Sequence, residues 1–377
     1  MNNTEKKIRI MHVAECAGGV DRYLHSLIKY LDHEKFENIL ICSQNYALLD
    51  FNGIADYVKQ IQMDHAIGKN DLKTVLKIRK LIGKYKPDII YAHSSKAGAI
   101  VRMAGIGMKS KCIYNPHGWA FNMQGSKRNQ IMYKMMEKVM APFCSKIVCI
   151  SEAERQSALV NGICSDKKIQ VIYNGVDIEE YEASKKHPIF REHLNIPEDS
   201  FVIGYVGRLT KQKAPDIFIK MARMIKDKIP EAYFLMVGNG ELEGKVKDYA
   251  EQYGLSNCLF ITGWITNPLD YIALFDVAVL LSRWEGFGLA IPEYMMCGKP
   301  VVATAVDAIL NLITDHKNGL LVPMDDFKAA SEAVIEIYKD DLLKASLIDQ
   351  GTKDVYEKFD IKRVSKETEE LFYRLIG

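Results

Sequence analysis

Two glutamates stand on either side of a glycine turn in the segment Ser282-Arg-Trp-Glu-Gly-Phe-Gly-Leu-Ala-Ile-Pro-Glu293. The apolar run 276–281 before it indicates a buried parallel strand. The helical stretch after it stops at Gly298 and Pro300. A turn between strand and helix offers free backbone N–H groups and the positive end of a helix dipole, and both attract anions. The N–H groups belong to the four turn residues Gly286, Phe287, Gly288 and Leu289.

The two carboxylates suit a ligand that is rich in hydroxyl groups. Glu285 is predicted at the end of the strand, and Glu293 lies about two helical turns further on. An ionised carboxylate only accepts hydrogen bonds, and sugar hydroxyls donate them. An anion site beside two such acceptors favours a nucleotide sugar. The alternative is that both are solvated acids stabilised by the start of a helix.

A pair of cations follows another predicted strand. Arg208 and Lys213 come directly after the apolar run 201–206 and lead into a helix. In an open α/β sheet, ligands bind at the carboxyl ends of the strands. A guanidinium fork and a compact ammonium suit a diphosphate, and fixed cations there stabilise a departing diphosphate. Ordinary surface charge is the alternative.

The first half of the chain carries further polar residues at predicted strand ends. Gly18 and Gly19 follow the first strand, where glycines allow backbone to approach a phosphate or sugar or simply form a tight turn. Histidines end two later strands, where a structural role is the alternative. After one of them, a serine and a lysine either meet an acceptor phosphate or belong to a helix cap. These residues are His93, Ser94, Lys96 and His117.

Strands and helices alternate along the whole chain, which predicts parallel sheets covered on both faces. The predicted strands are 8–14, 38–43, 88–93, 111–115, 146–151 and 169–173 in the first half, and 201–206, 233–237, 258–262, 276–281, 300–304 and 319–322 in the second. The acidic stretch 177–188 between them is predicted to be a linker. The tail 360–376 has the apolar spacing of a helix.

Composition indicates a globular protein of the cytoplasm. Hydrophobic residues make up 48% and charged residues 26%, and no run reaches the roughly 20 apolar residues of a membrane helix. The eight cysteines lack a Cys-x-x-Cys spacing and are predicted to be free thiols. Residues 1–185 hold 27 Lys and Arg against 19 Asp and Glu. This basic half either attracts an anionic membrane surface or is ordinary solvated surface, and the methionine-rich helix 130–143 either rests on that membrane or belongs to the core.

Taken together, the motifs resemble glycosyltransferase family 4, which has the GT-B fold. The resemblance rests on five segments in the expected order: Gly18-Gly19, Tyr173–Asp177, Arg208–Lys213, Glu285–Glu293 and Gly319–Val322. The string from His93 to Gly98 also looks like bacterial enzymes that build capsular or exopolysaccharide units. The sequence departs from the family at Ala214, where glycine is common, and at 307–311, where the family has Gly-Gly-x-Pro-Glu.

The resemblance implies an α/β protein with two doubly wound Rossmann-like domains facing across a cleft. An acceptor-binding domain would span 1–180, a nucleotide-sugar domain 181–360, and a terminal helix 361–377 would cross back to the first domain. It implies a retaining, metal-independent transfer from a nucleotide sugar, most simply a UDP-sugar, to a lipid-linked saccharide. Glu293 would bind the ribose, Glu285 would face the transferred sugar, and His117 would lie close to that sugar.

Two other classes of protein stay open at this stage. A sugar-nucleotide epimerase or a phosphorylase has the same fold, and a non-enzymatic two-domain sugar-binding protein would share its pattern. The chain has no phosphate-binding P-loop, and no Asp-x-Asp follows a predicted strand to hold a divalent metal. We therefore expect no cofactor, no metal and no nucleic-acid partner, and a location in the cytoplasm or at the inner face of the plasma membrane.

Overall fold

The chain forms two compact units in a computed structural model that describes residues 6–15, 19–44, 46, 51–63, 68, 70–123, 125–185 and 188–377. The first unit comprises Met1–Gly175 and Ile361–Gly377, and the second comprises Val176–Asp360. Residue 180, the predicted domain boundary, belongs to a helix of the second unit. Among the described helices, none combines the length and the apolar character that a bilayer crossing requires.

The first unit is built on a sheet of seven parallel strands. They are β1 Ile8–Ala14, β2 Phe36–Cys42, β3 Tyr57–Gln60, β4 Ile89–His93, β5 Lys111–Asn115, β6 Lys146–Cys149 and β7 Ile169–Val171. Their spatial order is β3-β2-β1-β4-β5-β6-β7. The order reverses direction between β1 and β4, which makes that pair the topological switch point of the sheet.

The second unit contains a sheet of six parallel strands with the same winding. They are β8 Phe201–Val206, β9 Ala232–Val237, β10 Leu259–Ile261, β11 Val277–Leu280, β12 Val301–Thr304 and β13 Leu320–Val322. Their spatial order is β10-β9-β8-β11-β12-β13, so the switch point lies between β8 and β11. Both units are therefore doubly wound and Rossmann-like, as the sequence predicts.

Helices cover the faces of both sheets. In the first unit they are α1 Gly19–Tyr30, α2 Asp71–Tyr85, α3 Ser95–Ala104, α4 Lys127–Met140 and α5 Glu152–Val160. In the second they are α6 Ile178–Ser184, α7 Pro215–Lys226, α8 Glu243–Gln252, α9 Leu269–Ile272, α10 Ala290–Met296, α11 Ile309–Leu312, α12 Phe327–Lys339 and α13 Asp341–Lys358. The last helix, α14 Ile361–Ile376, returns to the first unit.

Helix α14 completes the core of the first unit by packing beside α1. Its Phe372 is fully buried and contacts Phe36 of β2 with ring centroids 5.7 Å apart. The carboxylate of Glu369 accepts a hydrogen bond from the backbone N–H of Asp32 at 2.7 Å. Because apolar residues of α14 alternate with polar ones at helical spacing, one face of the helix covers the sheet and the other meets solvent.

The chain leaves the first unit and re-enters it at neighbouring points. Gly175 lies so close to Ile361 that a Cβ atom on residue 175 would stand 2.8 Å from the Cα of Ile361. Only glycine tolerates that approach. The glycine of the Tyr173–Asp177 segment, one of the five that carry the family resemblance, therefore has a packing reason.

Every predicted strand is present, with ends shifted by two residues at most. The sequence misses β3, an edge strand whose residues alternate between exposed and half-buried. It also predicts a linker where α6 forms. That helix begins at Asp177, whose side chain accepts a hydrogen bond from the N–H of Glu180 at 3.0 Å, as an N-cap does.

Candidate functional site

The predicted donor-site residues of the second unit gather at its switch point. Strands β8 and β11 are neighbours and run parallel, with Ile203 opposite Val277. Lys213 follows β8 and Glu285 follows β11, so both leave the sheet at the same carboxyl edge. Their side chains form an ion pair between the ammonium and Oε1 of the glutamate.

Glu285 is buried and firmly oriented. The exposed fraction of its side chain is 6%, against 18% for Lys213. The hydroxyl of Ser282 donates a hydrogen bond to the same Oε1 at 2.6 Å. One carboxylate oxygen therefore receives both partners, which fixes the plane of the group at the strand end.

Asp307 enters this site from the loop after β12. Its carboxylate accepts a hydrogen bond from the backbone N–H of Glu285 at 3.1 Å. Burial raises the pKa of Asp307, and the nearby charge of Glu285 acts in the same direction. Residue 307 has φ 41°, the left-handed region that favours glycine. The departure from the family pattern therefore keeps the backbone that a glycine would adopt and adds a carboxylate beside Glu285.

Arg283 joins the two loops that carry the site. Its guanidinium binds Asp216 of α7 through two hydrogen bonds, of 3.1 and 2.7 Å, and donates to the backbone carbonyl of Lys211 at 2.9 Å. A second carboxylate, that of Asp325, accepts from its Nε at 2.7 Å. Since a bidentate pair fixes direction as well as distance, Arg283 sets the position of Lys213 relative to Glu285.

Arg208 is exposed at the end of β8, and its guanidinium has no ion-pair partner among the described residues. Its backbone is held by the hydroxyl of Tyr205, which donates to the Arg208 carbonyl at 3.0 Å. The glycine-rich loop after β9 packs against the same segment, because a Cβ on Gly238 would lie 2.2 Å from the carbonyl oxygen of Gly207. That loop therefore supports the segment that carries Arg208.

The turn after Glu285 serves both packing and conformation. Gly288 has φ 87°, which only glycine adopts readily. Phe287 is buried and packs against Phe359 with ring centroids 5.9 Å apart. Glu293 is buried in α10, and the hydroxyl of the next residue, Tyr294, accepts from the N–H of Val206 at 2.7 Å. Helix α10 is thereby tied to the end of β8.

In the first unit, two of the predicted acceptor residues have structural partners. Ser94 caps α3 by accepting a hydrogen bond from the N–H of Ala97 at 3.2 Å, and its φ is 96°. Lys96 is buried and pairs with Asp71 of α2 at 2.6 Å. Gly19 is the first residue of α1 and is exposed, whereas Gly18 lies outside the described residues.

His93 and His117 are brought together at the carboxyl edge of the first sheet. His93 ends β4 and is fully buried, and its Nδ1 lies 3.1 Å from Nε2 of His117. His117 is partly exposed, has φ 51°, and donates its backbone N–H to the side chain of Asn115 at 2.9 Å. Burial lowers the pKa of His117 to about 3, so its ring is neutral at pH 7.

Glu154 fixes the loop that carries His117. Its two carboxylate oxygens accept hydrogen bonds from the N–H groups of Gly118 and Ile150, each at 2.7 Å. Its backbone carbonyl accepts from the indole of Trp119 at 2.9 Å. Burial raises the pKa of Glu154 to about 7, against the lowering effect of the two backbone donors.

The sequence therefore predicts the polar residues at the strand ends of each unit and misses the residues that support them. Lys213 and Glu285 meet, as do His93 and His117. The supports left unidentified are Ser282, Arg283, Asp307, Glu154 and His12. One signal for His12 is present in the sequence, since a histidine inside an apolar strand must find a buried partner.

Comparison with known proteins agrees with this architecture. The model of the family "Glycosyltransferase Family 4" matches residues 17–180 of this chain, and the model of the family "Glycosyl transferases group 1" matches residues 186–354. The crystal structure of Anabaena Alr3699/HepE in complex with UDP superposes with a TM-score of 0.81 over 97% of this chain and 100% of that one, at 21% identity. These matches define the class as glycosyltransferases of the GT-B fold, as the sequence predicts.

Two curated bacterial proteins are similar along nearly the whole chain. The "UDP-Gal:alpha-D-GlcNAc-diphosphoundecaprenol alpha-1,3-galactosyltransferase" of Escherichia coli is 30% identical over 376 residues, covering 97% of each chain. The "Capsular polysaccharide biosynthesis glycosyltransferase CapM" of Staphylococcus aureus is 26% identical over 375 residues, also covering 97% of each. The chain belongs to glycosyltransferase family 4.

Proposed function

We propose that this glycosyltransferase moves a sugar, with retention of configuration and without a metal ion, from a UDP-sugar to a lipid-linked saccharide during the synthesis of a surface polysaccharide. The observation that carries the proposal is the meeting of Lys213 with Glu285 at the switch point of the second unit. The ammonium of Lys213 can bind the diphosphate, and the carboxylate of Glu285 beside it can accept hydrogen bonds from the sugar hydroxyls. The similarity to the UDP-Gal-dependent galactosyltransferase and to UDP-bound Alr3699/HepE favours UDP as the nucleotide.

The charges of this site suit a leaving diphosphate. Cleavage of the bond between the anomeric carbon and the diphosphate builds negative charge on the departing oxygen. Lys213 and the exposed guanidinium of Arg208 supply fixed positive charge. These two cations are the groups that we assign to stabilise the departing UDP.

The family resemblance implies how the acceptor reacts. The acceptor hydroxyl attacks the anomeric carbon on the face from which UDP departs, and the diphosphate takes the proton of that hydroxyl. Glu285 and Glu293 then act as hydrogen-bond acceptors for the sugars, since retention by this route requires no nucleophilic carboxylate. The new glycosidic bond forms as the sugar–phosphate bond breaks, and UDP leaves.

Helix α4 supports an acceptor held at a membrane surface. Ile131, Met135 and Val139 are spaced four residues apart and have exposed fractions of 57%, 62% and 64%. Its one fully buried residue is Glu137, which pairs with Arg102 of α3 at 2.9 Å. The helix therefore buries a charged residue and leaves an apolar stripe exposed, whereas an ordinary surface helix buries its apolar stripe.

The charges around this stripe favour an anionic bilayer as its occupant. Lys127, Arg128 and Lys138 are exposed on the same helix. A basic helix with an apolar face lies in the interface of anionic membranes. A lipid-linked acceptor would be available at that surface. The methionine-rich segment is thus not core, contrary to the more common role of such a stripe.

The reaction is tested with purified protein, a panel of UDP-, GDP- and ADP-sugars, and a polyprenyl-diphosphate-linked saccharide. We expect acceptor-dependent release of UDP, unaffected by EDTA, and a product whose anomeric configuration by NMR matches that of the donor. An inverted product would contradict the retaining mechanism. Formation of an isomeric UDP-sugar without acceptor would support an epimerase instead.

The donor site is tested with Lys213→Ala against Lys211→Ala. The first variant loses a fixed charge at the diphosphate, so we expect kcat to fall by about 10²- to 10³-fold. Lys211 is an exposed neighbour in the same loop, and its replacement should leave the rate within about twofold. Equal rates in the two variants would exclude Lys213 from the reaction.

The membrane surface is tested by sedimentation with vesicles that contain anionic or only zwitterionic phospholipid. Met135→Glu with Val139→Glu should weaken binding to anionic vesicles by more than about tenfold, since each buried apolar side chain contributes on the order of 1.5 kcal/mol. Val160→Glu is the matched control, because Val160 is 85% exposed at the end of α5 in the same unit. Equal binding of all three proteins would refute the assignment of α4.

A further inference from the structure

Three histidines and one asparagine form a continuous chain of side chains through the first unit. Nε2 of His117 lies 3.1 Å from Nδ1 of His93, and Nε2 of His93 lies 3.4 Å from Nδ1 of His12. Nε2 of His12 lies 3.3 Å from Oδ1 of Asn38. The four residues belong to β2, β1, β4 and the loop after β5, in the spatial order of the sheet.

Each histidine contact joins Nε2 of one ring to Nδ1 of the next. A neutral imidazole has one N–H and one lone pair, so each contact needs a proton on one side and none on the other. Burial lowers the pKa of all three rings, to about 4 for His12, and they are neutral at pH 7. The tautomer of one ring therefore dictates the tautomer of the other two.

Asn38 sets the direction of the chain. In the structure Oδ1 of Asn38 faces Nε2 of His12, and with the amide in this orientation Oδ1 accepts, so that His12 carries its proton on Nε2 and presents a lone pair on Nδ1. His93 then donates from Nε2 to His12, and His117 donates from Nε2 to His93. Nδ1 of His117 is left with a lone pair, and no described residue forms a hydrogen bond with it.

Packing holds the rings as firmly as the hydrogen bonds do. Tyr91 packs against His93 with ring centroids 4.1 Å apart and ring planes tilted by 40°, and Tyr23 of α1 meets the ring of His117 edge-on at 5.0 Å. His12 and His93 are both fully buried. The rings therefore have little freedom to rotate, and the polarity of the chain is carried to the partly exposed His117.

We propose that Asn38, His12 and His93 are positioning residues that hold His117 as the Nε2–H tautomer, so that its Nδ1 accepts a hydrogen bond from a hydroxyl of the bound sugar. The contact with the sugar rests on the proposed function, whereas the tautomer does not. The same polarity excludes Nδ1 of His117 as an N–H donor to the diphosphate. Sugar hydroxyls are donors, which this lone pair matches.

The tautomer is tested by NMR on protein labelled with nitrogen-15 in histidine, at pH 7.5. We expect the ring proton on Nε2 in all three residues, with scalar coupling across the hydrogen bonds from Nε2 of His117 to Nδ1 of His93 and from Nε2 of His93 to Nδ1 of His12. Protons on Nδ1, or rings that carry both protons, would overturn the proposal. This result does not depend on finding a substrate.

The effect on the reaction is tested with His93→Phe and His93→Asn. Phenylalanine keeps the ring volume and removes the acceptor for His117, so we expect kcat/KM to fall about tenfold and the His117 nitrogen signals to average between tautomers. Asparagine places an amide oxygen near the position of Nδ1 and should restore most of the rate. If both variants folded and matched the wild type in rate, the positioning role would be refuted while the transferase function stood.

Discussion

Mild acid should destabilise the first unit, because the three histidines of its buried chain stay neutral while the unit is folded. Burial lowers the pKa of His12 to about 4 and of His117 to about 3, and lowers that of His93 as well, from an ordinary value of 6.5. Below pH 6.5 the unfolded chain therefore binds protons that the folded unit does not. The contribution of the three neutral histidines to the free energy of unfolding is therefore fully present above pH 6.5, and it is lost as the pH falls towards 4.

Glu154 works in the opposite direction. Burial raises its pKa from 4.5 to about 7, so the folded unit holds a proton there that the unfolded chain lacks between these values. When the three histidines and Glu154 have all titrated, the unfolded chain binds three protons that the folded unit lacks, and the folded unit binds one that the unfolded chain lacks. The net difference is two protons in favour of the unfolded state. The unfolded histidines are only half protonated at pH 6.5, so at about 1.4 kcal/mol per proton and pH unit, acidification from pH 6.5 to 5.5 should cost about 2 kcal/mol. That is a large share of the roughly 5–15 kcal/mol that stabilises a domain.

Tryptophan fluorescence can follow the first unit alone. Of the three tryptophans, Trp119 lies buried in the first unit, and Trp264 and Trp284 belong to the second. Replacing the latter two by phenylalanine leaves one probe of the histidine loop. Urea unfolding of this variant between pH 7.5 and 5.5 then gives the free energy of unfolding as a function of pH.

Two substitutions test the origin of the slope. His93→Asn removes one histidine and should reduce the slope by about 1.4 kcal/mol per pH unit, while Glu154→Gln removes the opposing group and should increase it by a similar amount. His33→Asn is the control, because His33 is only half-buried and lies outside the chain of rings. A free energy that does not change between pH 7.5 and 5.5, or one slope shared by every variant, would refute the reasoning.

Three further predictions concern single contacts. Arg283→Lys loses the two-pronged bond to Asp216, so KM for the donor should rise several-fold in steady-state assays, and an unchanged KM would show that the loops hold without it. Arg102→Met leaves Glu137 buried without its ion-pair partner and should lower the free energy of unfolding in urea by about 3–5 kcal/mol. Adding Glu137→Met should recover most of this loss. A double variant whose loss is the sum of two single losses would contradict the account. Asp307→Gly removes a hydrogen bond and a strained backbone together, so calorimetric stability should change by less than about 1 kcal/mol while UDP affinity shifts; a loss above about 2 kcal/mol would be inconsistent with strain at φ 41°.

Most of the fold follows from local patterns in the sequence. Buried parallel strands are apolar along their whole length, and the helices between them carry apolar stripes, so both sheets can be predicted from order and spacing. Strand β3 escapes because Tyr57–Gln60 is an edge strand with a polar, half-exposed surface. Its pairing with β2 depends on a neighbour that is distant in sequence.

The candidate site is predictable where its residues follow strands directly. Lys213 and Glu285 each lie beside an apolar run, and the switch point brings them together. Arg283 and Asp307 act through contacts with residues far along the chain, which no local spacing reveals. His12 is similar, because its partners Asn38 and His93 come from the two neighbouring strands β2 and β4.

The return of α14 to the first unit has a consequence for the order of events during translation. The second unit is one uninterrupted segment, whereas the first lacks the helix that covers Phe36 until the end of the chain has been made. At about 5–20 residues per second, synthesis from Gly175 to Ile361 takes roughly 10 to 40 s. During that interval the apolar surface of the first sheet that α14 later covers stays exposed. The second unit, although it is synthesised later, can therefore complete its fold before the first unit does.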